Sequence, residues 1–497
     1  MWLEGLVIVL DPSNLLALGI GTLLGIIIGA LPGLGPVFAL TLFLPVTFPM
    51  SAEMALIFLI SLYSGTIYGG SISAILLNAP GTPGSVATCL DGYPLARSGR
   101  GGEALVAAAV GSMFGGLLGT VAVVLIAPLV ATVALKIDPA SYSLLAFLGL
   151  SMVAVASHGD TLRGLILGGV GVLLSFVGQD PITGGYRFTM GFAYLEDGVP
   201  FPIVAIGLFA VAQCLVFAEE GGKIAQSLDA SGGLAAGVWA VLTRWRNVIR
   251  SSLIGIGLGA IPGVGISTSN FVAYAAEMRA SRDKSGFGKG NIAGVIAPET
   301  ANNATLPGEL IPTLTLGIPG GAGQALLLVA AIVHGVEPGL RFFEQGSIAY
   351  AFFIALFLAQ VTFAVFGLIG NQWFIRVTLV PVPLLAPAVL AFALVGAFTL
   401  RGRWEDLVAV LFWGIAGFVM IRFKYPVAPL VLGLVLGELA ERSYRQAALI
   451  AEATQTSPYL QPLPLVLSVL VAGMVIWSVI EFFKSPETSE GQGTPSG

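Results

Sequence analysis

From Ala104 to Leu135 the chain carries no charged side chain, and the same holds from Gly346 to Ile375. A bilayer core of about 30 Å takes about 20 apolar residues of helix, so either run can cross it. A water-soluble fold would have to bury helices of this length repeatedly. It would also have to cover its surface with only 10% charged residues, against roughly 25% in soluble domains. The chain therefore reads as an all-α polytopic membrane protein, with about 10–12 transmembrane segments and membrane lipid as its surroundings.

The net charge of -5 is spread over loops rather than gathered in one patch. The basic cluster Arg244, Arg246 and Arg250 suits a membrane-edge anchor, and no longer basic run invites a nucleic acid. Cys89 and Cys214 sit in apolar surroundings with no metal or disulfide spacing and read as core filler. The N-terminus lacks the basic n-region of a cleavable signal. Residues 485–497, rich in Gly, Pro, Ser and Thr, are expected to be a disordered tail.

The chain is written twice. GIIIGALPGLG at 25–35 recurs as GIGLGAIPGVG at 255–265, an offset of 230. Pro80-Gly81 recurs as Pro319-Gly320 at 239, Asp91-Gly92 as His334-Gly335 at 243, and Pro94 and Arg97 as Pro338 and Arg341 at 244. Single matches of Gly and Pro arise by chance; an ordered series with slowly drifting offset is what small loop insertions produce. The expected organisation is a first repeat over 12–220, a linker over 221–249, a second repeat over 250–447, and an additional C-terminal helix over 462–484. Internal repeats are the building rule of secondary transporters, which hold their substrate at the repeat interface. A returning hairpin plus five crossings in the first half would invert the second. The loop Arg279 to Lys289 has four basic residues and its first-half counterpart, 49–53, has none, which agrees in part with inversion.

Lipid-facing backbone must be satisfied within its own segment, yet Pro-Gly breaks interrupt apolar stretches at 31–36, 78–85, 261–267 and 316–323. Proline removes an amide and clashes with the preceding turn; glycine admits the left-handed backbone that follows. Helices broken in this way, re-entrant or discontinuous, are tolerable where they line a protein-buried polar site. A helix that starts after a break offers free amides to a carboxylate, and one that stops before it offers carbonyls to a cation. Isolated small residues serve equally well for helix packing; paired breaks at duplicated positions point to a site. The candidate substrate residues are Gly33, Gly35, Ser71, Ser73, Asn78, Thr82, Gly263, Gly265, Ser267, Asn302, Asn303, Thr313 and Gly320. Candidate ion-coupling residues are Glu299, Thr315 and Asn270.

No Lys or Arg falls in the four breaks, so amides, hydroxyls, Asn side chains and a co-bound cation would have to neutralise an anion there. The segment 297–309 carries Glu299 and Glu309 beside Asn302 and Asn303. It is either an intramembrane functional helix, since buried ionisable groups are costly, or a polar loop at the membrane edge. GxxxxGK[ST], HExxH and GxSxG are absent, and the histidines, His158 and His334, are far apart; this pattern suits no enzyme and asks for no cofactor or metal.

The segments GALPGLGP (29–36), YGGSISAILLNAPGTPGSVATCLDGYPLA (68–96), GAIPGVG (259–265) and APETANNATLPGELIPTLTLGIPGG (297–321) resemble the large membrane subunit of the tripartite tricarboxylate transporters. The likeness covers about residues 10 to 450. It implies a multi-pass subunit of the bacterial inner membrane. Its partners would be a small four-helix membrane subunit and a periplasmic solute-binding protein. Such a carrier is driven by Na⁺ or H⁺ rather than ATP and takes citrate or another small carboxylate. A passive channel, or a non-transporting scaffold for a binding protein, is the competing reading.

Overall fold

The computed structural model describes residues 1–134, 137–156, 161–180, 183–220, 232–377 and 382–484. Through the first third run α1 (Trp2–Leu10), α2 (Pro12–Gly29), α3 (Pro36–Thr47), α4 (Ala52–Leu77), α5 (Val86–Leu95) and α6 (Gly101–Ala134). Then come α7 (Pro139–Ala156), α8 (Thr161–Ser175), α9 (Phe201–Ala205), α10 (Ala212–Glu220), α11 (Leu234–Thr243), α12 (Trp245–Gly259) and α13 (Gly265–Ala280). The chain continues with α14 (Ala293–Leu316), α15 (Ala322–Val333), α16 (Ser347–Val377), α17 (Val382–Arg401), α18 (Trp404–Arg422), α19 (Val427–Thr454) and α20 (Pro462–Lys484). A small antiparallel hairpin pairs β1 (Gly178–Gln179) with β2 (Tyr186–Arg187).

Local chemistry sets several starts. Asp11 accepts the Ser13 amide at 2.9 Å and Pro12 opens α2, an N-cap with proline at the first helical position. Ser51 caps α4 in the same way through the Met54 amide. Among the described residues, six helices are long and apolar enough to cross a membrane, and seven apolar helices of 10–17 residues are shorter. Ten to twelve segments are expected from the sequence; of the shorter helices, α3 and α15 begin directly after a Pro-Gly break. Leu125 and Leu129 on α6, and Phe412 and Ile415 on α18, stand exposed, an apolar surface suited to lipid. The protein is an all-α, multi-pass membrane protein.

The expected tail, 485–497, and His158 lie outside the described residues, as do 221–231 of the expected linker. Most of the rest of that linker is helical, forming α11 and the start of α12.

The chain forms two compact units: residues 1–136 with 199–423, and residues 137–198 with 424–497. In the second, α19 packs on α7 and α8, and a side chain at Gly433 or Gly171 would collide with the facing backbone of Gly168 or Leu430. Its hairpin is pinned by Arg187 to Glu441 at 2.5 Å and Arg445 to Asp180 at 2.8 Å.

The first unit holds all four breaks. Its architecture rests on close helix crossings that only glycine permits. A Cβ at Gly69 on α4 would lie 2.5 Å from the Ile26 carbonyl of α2, and one at Gly308 on α14 would lie 2.7 Å from the Ile256 carbonyl of α12. Gly25 meets the Leu62 carbonyl as Gly255 meets that of Ala301, and Gly29 meets Thr66 as Gly259 meets Thr305. Each of these pairs is related by the offsets 230 and 239 read from the sequence, so the α2–α4 crossing recurs at α12–α14 residue for residue. Glycines 111, 115 and 119 on α6 then bring α14 in closely, against Thr300 and Pro307.

Candidate substrate and ion site

Each half has two breaks. In the first half α2 stops at Gly29 and the chain turns through Gly33, φ +80°, before α3. The matching turn after α12 passes through Gly263, φ +84°, and Gly265, φ +74°. The later breaks end in left-handed caps at equivalent positions: Asn78, φ 53°, closes α4 and Gly317, φ +69°, closes α14. In both the cap amide returns to the helix, to Ser73 from Asn78 and to Thr313 from Gly317, satisfying carbonyls that the stop would orphan. A short 3₁₀ turn, Pro83–Ser85, leads into α5, and Gly321 precedes α15.

The helices that restart after the later breaks reach into opposite halves. A Cβ at Gly84 would overlap the Asn302 amide on α14, and one at Gly323 would overlap the Tyr63 hydroxyl on α4. Positions 84 and 323, and 63 and 302, are both 239 apart. This exchange is isologous: each half presents the same place to its partner, as a two-fold relation demands. Ser64 and Asn303, again 239 apart, meet a single side chain between them. Gln360 of α16 donates to Ser64 at 3.2 Å and accepts from Asn303 at 3.5 Å, and Gly116 of α6 leaves it the room.

The middle of α14 is buried along its whole length, so the segment 297–309 is an interior helix rather than a rim loop. Glu299 accepts from Thr88 at 2.5 Å and from Ser112 at 3.3 Å. Asn302 is fully buried beside Glu299, with neither amide atom meeting a partner in good hydrogen-bond geometry; the Thr300 hydroxyl, the Asn303 oxygen and one oxygen of Glu309 are buried without such partners too. Such groups cost free energy unless something bonds them. Pro298, Pro307 and Pro312 lie inside the same helix, and each withholds the amide its i−4 carbonyl would use.

The structure gathers part of the expected set. Asn270 donates to the Gly84 carbonyl, beside Asn302. Thr82 and Ser85 bond each other at 2.9 Å in the same turn, and Gly35 approaches it through Pro83. Thr313 accepts the Gly320 amide at 3.2 Å and donates to the Glu309 carbonyl at 2.6 Å, tying the second break to α14. Ser71, Ser73 and Thr315 donate to their own helices. Ser267 is half-buried on the first turn of α13, while Gly33 and Asn78 are exposed.

Sequence reasoning passed over Tyr63, Thr88, Ser112, Gln324 and Gln360. Gln360 had a signal, an amide in the middle of the charge-free stretch 346–375. In the sequence Asp91 stands out only as a repeat marker. It is buried and accepts from the amides of Lys289, Gly290 and Asn291 at 2.8–3.2 Å and from Tyr274 at 2.8 Å. It thereby holds the loop before α14. His334, its counterpart, bonds Thr47 at 3.1 Å near the loop before α4.

Comparison with known families matches the tripartite tricarboxylate transporter TctA family over residues 15–432. The chain belongs to this family. It is thus a membrane component of a tripartite tricarboxylate transporter, a system that also comprises a substrate-binding protein and a small membrane subunit. A protein of Agrobacterium vitis described as an uncharacterized 52.8 kDa protein in the TAR-I ttuC' 3' region is 37% identical over 453 residues, 89% of this chain and 88% of that one. A second from the same organism, described as an uncharacterized protein in the TAR-II ttuC' 3' region, is 34% identical over 200 residues, 40% of this chain and 83% of that one. No solved structure matches the chain.

Proposed function

We propose that this TctA-family chain is the transporting subunit of a secondary carrier in the bacterial inner membrane. It takes up small di- or tricarboxylates handed over by a periplasmic solute-binding protein, beside a small four-helix membrane subunit, and is driven by Na⁺ or H⁺. Residues 12–220 and 250–447 act as two repeats of inverted orientation, each contributing a broken helix pair. The observation that carries this reading is the reciprocal placement of the later breaks, with the Asn302 amide buried against the first of them.

A carboxylate is stabilised by amides at a helix start and by side-chain donors. The first later break supplies the start of α5, Thr82, Ser85 and the amides of Asn302 and Asn270. Thr82, Ser85, Asn270 and Asn302 are buried, while Pro83 and Val86 at the start of α5 are exposed, so a solute reaches the buried donors only if flanking elements move, as alternating access requires. A permanently open pore would leave such polar groups hydrated.

Reconstitution of the chain with its membrane partner and binding protein tests this. Labelled citrate or a dicarboxylate should accumulate saturably under an imposed Na⁺ or H⁺ gradient. Uptake that needs ATP and no gradient, or that equilibrates without ever concentrating, refutes it.

A further inference from the structure

The two later breaks share a backbone but not a chemistry. At equivalent positions the first has Gly70, Ser85 and Asn302, and the second has Glu309, Gln324 and Tyr63. A Cβ at Gly70 would lie 2.6 Å from the Thr82 hydroxyl and 2.7 Å from that of Ser85. The first break therefore closes over neutral hydroxyls and amides, and the carboxylate nearest to it, Glu299, is held by Thr88 of α5 and Ser112 of α6. At the second, a Cβ on Gly320 would sit 2.8 Å from Glu309 Cβ, and one on Gly321 would sit 3.6 Å from Glu309 Oε1 and 3.5 Å from Gln324 Oε1. A carboxylate thus stands directly behind the Ile318–Gly321 turn.

Glu309 is buried, and no salt bridge joins it to a cation among the described residues. Gln324 lies beside the Glu309 carboxyl, but neither Glu309 Oε2 nor Gln324 Nε2 meets a partner in good hydrogen-bond geometry. Tyr63 donates to Gln324 Oε1 at 3.1 Å. Tyr63 on α4 is the titratable group that faces Glu309; α12 meets it with Gly259, and α15 with Gln324. Pro312 leaves the Gly308 carbonyl, one residue before Glu309, without its helical donor. A lone buried carboxylate cannot remain charged and unpaired without a large desolvation cost, so it calls for a positive partner from solution.

The geometry points to a division of labour: the second break, with Glu309, Gln324 and Tyr63, takes the coupling monovalent cation, and the first break, faced by Asn302, takes the anion. This rests on the carrier reading above. The cation is either a proton, forming an O–H bond at a Glu309 oxygen on entry and lost from it on the other side, or Na⁺ held by the same oxygens. It neutralises Glu309 as the anion fills the first break, which makes occupancy of both the state that crosses. Glu299 differs, since hydroxyls already donate to both its oxygens.

The test uses the full chain with its partners in proteoliposomes, with labelled substrate counterflow and gradient-driven uptake measured on the same preparations. One arm imposes a pH gradient without Na⁺, the other a Na⁺ gradient at equal pH, and the arm that drives wild-type accumulation identifies the ion. Glu309→Gln, neutral at all times, should still exchange substrate but lose accumulation in either arm. Glu309→Asp should recover part of it, and Gln324→Leu should raise the cation concentration for half-maximal uptake. Asn302→Ala should raise the substrate KM for exchange and leave the cation dependence unmoved. The assignment is overturned if Glu309→Gln concentrates substrate as wild type does. It is also overturned if that variant inserts and purifies normally yet loses exchange, or if Asn302→Ala shifts the cation dependence instead of the KM. Should wild type show neither exchange nor accumulation, the carrier reading falls and the division of labour with it.

Discussion

Asn78 and Gly317 allow the backbone of the breaks to be separated from their side chains. Both close their helices in the left-handed region, with φ 53° and +69°, and a Cβ at Gly317 would have nothing within 4 Å. The cost of Gly317→Ala is therefore almost wholly conformational, about 1–2 kcal/mol for an ordinary residue held left-handed, or at least a fivefold shift in the folding equilibrium. Gly317→Asn should cost less, because Asn tolerates this region. Asn78→Gly should stay within about 0.5 kcal/mol of wild type, since glycine adopts the conformation without strain, while Asn78→Ala should lose about 1 kcal/mol. Unfolding of the purified protein in mixed micelles, titrated with a denaturing detergent, reads these differences, and uptake is measured on the same variants. With Asn78 exposed and its role a cap, Asn78→Gly should retain uptake. Loss of uptake by a fully folded Asn78→Gly would show that the side chain holds solute. A Gly317→Ala protein as stable as wild type would refute the reasoning from backbone strain.

Other expectations follow from the buried polar contacts. Gln360→Leu keeps much of the volume but strips Ser64 and Asn303 of their shared partner; it should cost about 1–3 kcal/mol and slow exchange, whereas unchanged unfolding and rates would make Gln360 a passive filler. Asp91→Ala leaves three amides and the Tyr274 hydroxyl without their acceptor; a loss of about 3 kcal/mol or more is expected, with faster proteolysis in the loop 279–289, and wild-type protease resistance would argue against the anchor.

Much of the site's layout was legible as pattern. Charge-free runs force helices because lipid offers backbone groups no partner, and Pro-Gly pairs at repeated offsets mark where those helices must stop. The pairing of Gly29 with Thr66 and of Gly259 with Thr305 belongs to the same logic, because a duplicated sequence buries duplicated crossings. Asn302, Asn303 and Glu299 were visible as polar residues in an apolar setting. Gln360 carried the same signal more faintly, one amide among many apolar neighbours.

What the sequence determined by itself was local and periodic: which stretches are helical, where glycine or proline ends them, and that the pattern occurs twice. Tertiary structure alone decided which polar groups share a space. Tyr63 meets Gln324, and Asn302 meets Gly84, across more than two hundred residues of chain. That the α2–α4 crossing would be matched by α12–α14 could be anticipated, but not that each restarted helix would reach into the other half. Nor could spacing show that Glu309, one of two acidic residues in a short stretch, is the one left with an unbonded oxygen. Such contacts depend on how helices cross, and a crossing is set by side-chain size at both surfaces together, which no single segment contains.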